Sequence, residues 1–179
     1  MRKVAIVTYD EQWPDLFEAE RVLLQITLGQ VISRIYHIGS TSVPGLAAKP
    51  VIDILLEVVD LNKLDELNAE IENAGYTARG ENGIQNRRYF TKGGEQRTHH
   101  VHAFVIGDTQ IVKHVAFRDY LIKNKKVAEQ YAEIKCAAAR ECENDTHRYS
   151  ALKADFIKHH LQLALIETTV ESPAYNTAG

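Results

Sequence analysis

The segment at residues 51–59, VIDILLEVV, constrains the fold most. Apart from Asp53 and Glu57, it contains only valine, isoleucine and leucine. A short apolar run of this kind, rich in β-branched residues, is typical of an interior strand that is covered on both faces of a sheet. We therefore predict a central strand here, with two acids on it.

Other segments carry signals for further strands and for helices. Pro14 opens an apolar helical repeat that ends at Gly29, and Asp60 can cap a helix that ends at Gly75. Two strands joined through Gly93-Gly94 form a predicted hairpin. The predicted strands are 31–38, 51–59, 87–92 and 98–106, residues 41–50 form a loop or broken helix, and the later helices are 109–124, 125–142 and 146–167.

This order of elements predicts an α+β domain with a mixed β-sheet, helices packed on it and a C-terminal helical segment. We find no internal repeat and no linker that would separate two domains. Residues 1–167 are therefore predicted to form a single domain, followed by a flexible C-terminal tail at 168–179, where Pro173 and a terminal glycine follow the last apolar-periodic residue.

Composition excludes several classes of protein. The chain has 179 residues, with 21 Lys and Arg against 24 Asp and Glu, so its net charge is −3. Binding to duplex nucleic acid needs a surplus of cationic side chains, so we expect this chain not to bind duplex nucleic acid. No uncharged apolar stretch approaches the roughly 18 residues of a membrane helix, and no secretory leader is evident, so a cytoplasmic location is expected. Cys136 and Cys142 are not spaced like the cysteine ligands of a metal site. No organic cofactor is predicted. The oligomeric state stays open.

A Gly-Ser turn and a carboxylate on the next strand suggest a phosphate site. Gly39, Ser40 and Thr41 follow a predicted strand, and Asp53 lies on the central strand. Backbone N–H groups and a hydroxyl at such a turn bind phosphate, and the carboxylate can hold a divalent ion that bridges it. This pattern resembles the signature of nucleotidyltransferases of the DNA polymerase β type.

The amino-acid sequence around this turn identifies a family more specifically than the spacing of its residues does. Residues 37–54, HIGSTSVPGLAAKPVIDI, resemble the hallmark of the GrpB-like family, and the similarity extends over residues 5–167. Further similar segments are 9–14, the Arg-x-x-His-x-His strand at 97–102, 117–121, and Tyr149 with Lys153. The resemblance implies a nucleotidyltransferase fold, a small nucleotide-like or phosphorylated ligand, and fusion to dephospho-CoA kinase in some members, without an established reaction.

The chain departs from the transferase pattern at Leu55, where the second carboxylate of an Asp-x-Asp pair is expected. Side chains two residues apart on a strand share a face at about 6.6 Å, but Glu57 lies about 13 Å from Asp53 and cannot replace that acid. Two hypotheses stay open. One is a metal-dependent enzyme that acts on a small nucleotide or phosphorylated substrate; the other is a non-catalytic phosphate-binding or regulatory module.

The enzyme hypothesis needs a metal site and acid–base groups. His100 and His102 share a strand face, so with Asp53 they form a candidate metal set. Such a set favours Zn²⁺, Mn²⁺ or Fe²⁺ over Mg²⁺. Asp53 and His37 are the candidate catalytic residues, although a histidine at a strand end also serves as a hydrogen-bonded structural group.

Several basic residues are further candidates for binding phosphate. They are Lys49, Arg88, Arg97 and Lys153, and strand alternation puts Arg88 on the opposite face from Arg87. The alternative for each is a solvated or edge position. Tyr149 is expected to pack in the core, and Lys135 is interpreted as part of a solvated, charge-paired helix face.

Overall fold

The structure, a computed structural model, describes residues 4–171 and forms one mixed sheet covered by helices. In chain order, the strands are β1 (Ile32–Ile38), β2 (Ile52–Val58), β3 (Tyr76–Ala78), β4 (Arg88–Lys92) and β5 (His99–Val105). The helices are α1 (Trp13–Leu28), α2 (Leu61–Glu66), α3 (Asn68–Asn73), α4 (Thr109–Lys123), α5 (Lys125–Glu141) and α6 (Thr146–Glu171). The predicted α+β class, with a mixed sheet and a C-terminal helical segment, is confirmed.

The sheet has the strand order β1-β2-β5-β4-β3. β2 pairs antiparallel with β1 and parallel with β5, and the predicted hairpin is the antiparallel pair of β4 and β5. The apolar segment at 51–59 therefore forms an interior strand, with buried residues on both faces. In the parallel register, Asp53 lies beside His100 and Leu55 beside His102.

The two faces of the sheet are covered by different helices. On one face, Ile54, Leu56 and Phe90 belong to the large core with residues of α1, α2 and α3. On the other face, Leu55 and Phe104 pack with Ile111 of α4. Helices α4, α5 and α6 form a further cluster with the loop that follows β1, so this loop lies between the sheet and the C-terminal helices.

Three local features differ from the sequence predictions. The helix capped by Asp60 breaks at Leu67 into α2 and α3, although the Asp60 carboxylate accepts backbone N–H groups as predicted. β3 was not predicted, because three residues are too few to show an alternating pattern. α6 continues to Glu171, beyond the predicted start of the tail at 168. The rest of that tail, 172–179, lies outside the described residues.

None of the helices within residues 4–171 is both long enough and apolar enough to cross a membrane.

Candidate functional site

The Gly-Ser turn lies at the end of β1, and its backbone touches the acid of β2. Gly39 has φ 71° and ψ −171°, a conformation that is essentially restricted to glycine. A β-carbon at this position would lie 2.5 Å from Asp53 Oδ2. Glycine is therefore required at position 39 for two reasons, the backbone conformation and the close approach of the Asp53 carboxylate. The turn then enters a 3₁₀ helix at Ser40–Ser42.

Asp53 forms the centre of a polar cluster with the two histidines of β5. Its Oδ1 lies 3.0 Å from His100 Nδ1 and 3.9 Å from His102 Nε2. Burial raises the pKa of Asp53, but the hydrogen bonds and charges of the two histidines lower it by more. The net pKa is well below the usual value, so Asp53 carries its negative charge at neutral pH.

His102 is surrounded by groups that were not predicted to belong to the site. Its Nδ1 lies 3.4 Å from an Arg87 guanidinium nitrogen, and its ring centroid is 5.1 Å from Tyr89 and 5.5 Å from His114. Burial is the main reason that the pKa of His114 falls to about 4, which keeps this imidazole neutral at pH 7. Strand alternation could have indicated Arg87, whereas no local signal indicates His114.

The donor set does not fit the metal centre of a two-metal transferase. Leu55, at the position of the second carboxylate, is fully buried against Ile38 and Phe104. Asp53 is already hydrogen-bonded to His100. Across residues 4–171, no three or more His, Cys, Asp or Glu side chains are arranged to hold a metal ion. The metal site predicted from Asp53, His100 and His102 stays a prediction, and this geometry does not support it.

A cavity of about 240 Å³ lies between the turn, the start of β2 and helices α5 and α6. We call it the lysine pocket, because Lys49, Lys135 and Lys153 all line it, together with Ser40 and Asp53. The lysines therefore outnumber the single carboxylate in its wall. Thr41, Tyr149 and His100 are among the remaining lining residues.

Aromatic rings hold the lysines in place. The ammonium groups of Lys49 and Lys153 lie 3.8 and 4.2 Å from the ring centroid of Tyr149, which is buried as predicted. Contacts of this kind stabilise a cation by about 0.5–2 kcal/mol. Burial lowers the pKa of Lys153 to about 8. Both cations are thus kept at the pocket wall by the same ring.

Lys135 is the pocket residue that the sequence analysis misplaced. It is 2% exposed, so its assignment to a solvated helix face is wrong. Its ammonium group donates to the Ala47 carbonyl and lies 4.7 Å from the Tyr131 ring centroid. Burial, and then the charge of Lys153, lower the pKa of Lys135 to about 7. Helical spacing could have indicated this burial, because Lys135 lies on the same buried stripe of α5 as Ala128, Tyr131 and Ala138.

The structure brings most of the predicted site residues to one place. The lysine pocket contains Ser40, Thr41, Lys49, Asp53, His100 and Lys153, with Gly39 directly behind Asp53. Thr41 is buried, and its hydroxyl lies 3.0 Å from His37 Nε2.

Apart from His102, which lies beside Asp53, three predicted residues do not line the lysine pocket. His37 stacks on Phe17 of α1 at 4.7 Å, which matches the alternative of a hydrogen-bonded structural histidine; burial lowers its pKa to about 4. Arg88 lies on the opposite face and forms a bidentate ion pair with Asp65 at 2.6 and 2.7 Å, because strand alternation turns it away from the pocket. Arg97 lines a larger neighbouring cavity.

A family model described as GrpB protein matches residues 3–163. This chain belongs to the GrpB family. The similarity predicted from residues 37–54 is thereby confirmed, and the arrangement of a Gly-Ser turn with an acid on the adjacent strand is a feature of this GrpB chain.

Two relatives and a solved structure are similar to this chain. UPF0157 protein YqkA of Bacillus subtilis (strain 168) is 43% identical over 157 residues, which are 88% of this GrpB chain and 46% of YqkA. The crystal structure of conserved protein GrpB from Enterococcus faecalis has 40% identity and a TM-score of 0.88, covering 92% of this chain and 99% of that one. A dephospho-CoA kinase of Mycobacterium tuberculosis (strain ATCC 25618 / H37Rv) is 31% identical over 175 residues, 83% of this chain and 42% of the kinase.

This GrpB chain thus spans about half the length of YqkA and less than half of the kinase.

Proposed function

We propose that this chain binds the phosphate group of a small nucleotide-like or phosphorylated ligand in the lysine pocket, and that it acts as a binding module and not as a two-metal transferase. The observation that carries the proposal is the set of three lysines around one small cavity, with a single carboxylate among them. Lys135 is buried and the other two lysines are half-buried. Burial makes a positive charge unfavourable, and an anionic ligand would offset this cost.

The pocket offers the ligands that a phosphate group requires. Ser40 lines the cavity at the Gly-Ser turn, and Lys153 and Lys49 are held over Tyr149. Hydrogen bonds between charged groups contribute about 1.5–3 kcal/mol each, which exceeds the contribution of a neutral pair. A phosphate bound here would be contacted from the turn, the loop before β2 and two helices.

The binding module is favoured over the two-metal enzyme because of Leu55, which follows Asp53 by two residues on β2. Leu55 belongs to an apolar cluster with Ile38, Phe104 and Ile111, where a second carboxylate would be buried without a partner. Because leucine occupies the position of the second carboxylate, Asp53 and its histidine partners lack the carboxylates that position two bridging ions.

A nucleotidyl- or phosphoryl-transfer enzyme is the second candidate. It is favoured by the ionised Asp53, which lines the same cavity as the lysines and is hydrogen-bonded to His100. A carboxylate and an imidazole beside a bound phosphate are suited to move a proton to or from an attacking hydroxyl. The two candidates differ in whether a bound nucleotide is converted to product.

Calorimetric titration of the purified chain tests the proposal. The probes are inorganic phosphate, AMP, ATP and adenosine, together with dephospho-CoA because a relative carries the name dephospho-CoA kinase. We expect the phosphorylated probes to bind without added metal and adenosine not to bind. Binding that requires Mg²⁺ or Mn²⁺, together with turnover of ATP, would favour the transferase instead.

Lys153→Met is expected to weaken phosphate binding by about tenfold, because it removes one charged hydrogen bond from the pocket. Lys158→Met is the matched control, since Lys158 is an exposed lysine on the same helix. Titration of inorganic phosphate into both variants measures the difference. Equal affinities for the two variants would contradict the assignment of the phosphate site.

A further inference from the structure

The lysine pocket adjoins a much larger cleft. This cleft has a volume of about 1190 Å³ and shares Lys49, Val51 and Thr146 with the lysine pocket. Its other walls come from the hairpin loop at 94–97, from Arg79 and from the turn at 144–145. Ligand pockets typically measure about 300–1,000 Å³, so the lysine pocket alone has room for a small group and the cleft has room for the body of a larger ligand.

Two arginines line this cleft and not the lysine pocket. The Arg79 guanidinium donates to the Thr91 hydroxyl at 3.4 Å. Arg97, half-buried in the hairpin loop, has no hydrogen bond or ion pair with any other residue of the described chain. Of the two acids nearby, Asp145 accepts backbone N–H groups at the start of α6, whereas Glu95 adjoins the arginines in the same wall.

The sheet register places Arg79 across the sheet from Asp53, whereas Arg97 directly precedes Thr98, whose carbonyl accepts a hydrogen bond from Ile52 of β2. Asp53, His100, Thr91 and Thr77 are successive register partners across β2, β5, β4 and β3. Adjacent strands are about 4.8 Å apart, so the backbone positions of Asp53 and Thr77 are separated by about 14 Å. Arg79 lies two residues beyond Thr77. Its guanidinium reaches back to Thr91, about 10 Å from Asp53 across two strand spacings. Neither arginine lines the lysine pocket, so an anion held between them would occupy the cleft.

We propose that the cleft binds an extended ligand that carries an anionic group at each end, one in the lysine pocket and the other between Arg79 and Arg97. This inference rests on the proposed function for the first group and adds a second subsite. Arginine suits this position because its planar guanidinium binds phosphate and carboxylate through two parallel hydrogen bonds. The ligand class is a doubly anionic molecule of nucleotide length or longer.

The test compares probes that differ only in the second anionic group. They are octyl phosphate and octanediol bisphosphate, with butanediol bisphosphate as a shorter version. We expect octanediol bisphosphate to bind about tenfold more tightly than octyl phosphate, and butanediol bisphosphate to show a smaller gain. Arg97→Ala and Arg79→Ala should each reduce this gain and leave the affinity for octyl phosphate unchanged.

Two further variants sharpen the test. Glu95→Gln removes a negative charge beside the arginines, so it should strengthen binding of the bisphosphate alone. Arg34→Ala is the matched control, because Arg34 is exposed on β1 and lines neither the lysine pocket nor the cleft.

The outcomes separate the two proposals. Octyl phosphate that binds in a Lys153-dependent manner, without any gain for the longer bisphosphate, would overturn the second subsite and leave the phosphate site intact. A gain that survives both arginine substitutions would also overturn it. If neither octyl phosphate nor inorganic phosphate binds the wild-type chain, the proposed function fails and the second subsite fails with it.

Discussion

Gly39→Ala is expected to lower the free energy of unfolding by about 3 kcal/mol and to abolish phosphate binding. The backbone conformation of Gly39 costs other residues roughly 1–3 kcal/mol. A methyl group would also lie 2.5 Å from Asp53 Oδ2 and 3.0 Å from its β-carbon. The carboxylate would have to move, which breaks its hydrogen bond to His100. Urea denaturation and calorimetric titration of phosphate measure the two effects.

Gly45→Ala provides the control for this experiment. Gly45 also has a positive φ, 78°, but a β-carbon there would meet no atom within 4 Å. This variant has only the backbone cost, about 1 kcal/mol, and should retain phosphate binding. If Gly39→Ala and Gly45→Ala lose the same stability and both bind phosphate normally, contact with Asp53 is not the reason for glycine at position 39.

Lys135→Met is expected to stabilise the fold at low pH and to weaken phosphate binding. Burial lowers the pKa of Lys135 from its usual 10.5 to about 7, so the folded chain binds fewer protons than the unfolded chain between these values. The cost of the buried charge is therefore complete below pH 7, at roughly 3–5 kcal/mol, and disappears as the pH approaches 10.5. Methionine has a similar length without the charge.

The expected gain in unfolding free energy is about 2 kcal/mol at pH 6, because the lost hydrogen bond to the Ala47 carbonyl offsets part of the ionisation cost. At pH 10 most of the gain should be absent. Urea denaturation at both pH values measures the change, with Lys126→Met as an exposed control on the same helix. An equal gain at both pH values would contradict a charged, buried Lys135.

Phosphate binding gives an independent readout for the same variant. An anion in the lysine pocket favours the protonated form of Lys135, so binding to the wild-type chain above pH 7 should take up a proton. Titrations in buffers with different ionisation enthalpies measure this uptake, which should be smaller in Lys135→Met. Unchanged affinity and unchanged proton uptake would place the phosphate away from Lys135.

The elements of the fold were largely predictable because their signals are local. The apolar run at 51–59 forms β2, and the helical repeats after Pro14 and after residue 107 form α1 and α4 to α6. β3 was missed because it is three residues long. The extension of α6 to Glu171 was missed because the predicted boundary followed the last apolar-periodic residue.

The sequence by itself determined the Gly-Ser turn, the acid on the adjacent strand and the absence of a second carboxylate at Leu55, since each depends on residue identity and strand alternation. Only the tertiary structure decided which charged groups share a cavity. Lys135 is buried because α5 packs against the loop that carries Ala47, 88 residues earlier. Arg88 is held away from the lysine pocket by its ion pair with Asp65. Desolvation and charge pairing act through space, so the pKa and the partner of a side chain are set by neighbours that are distant in the sequence.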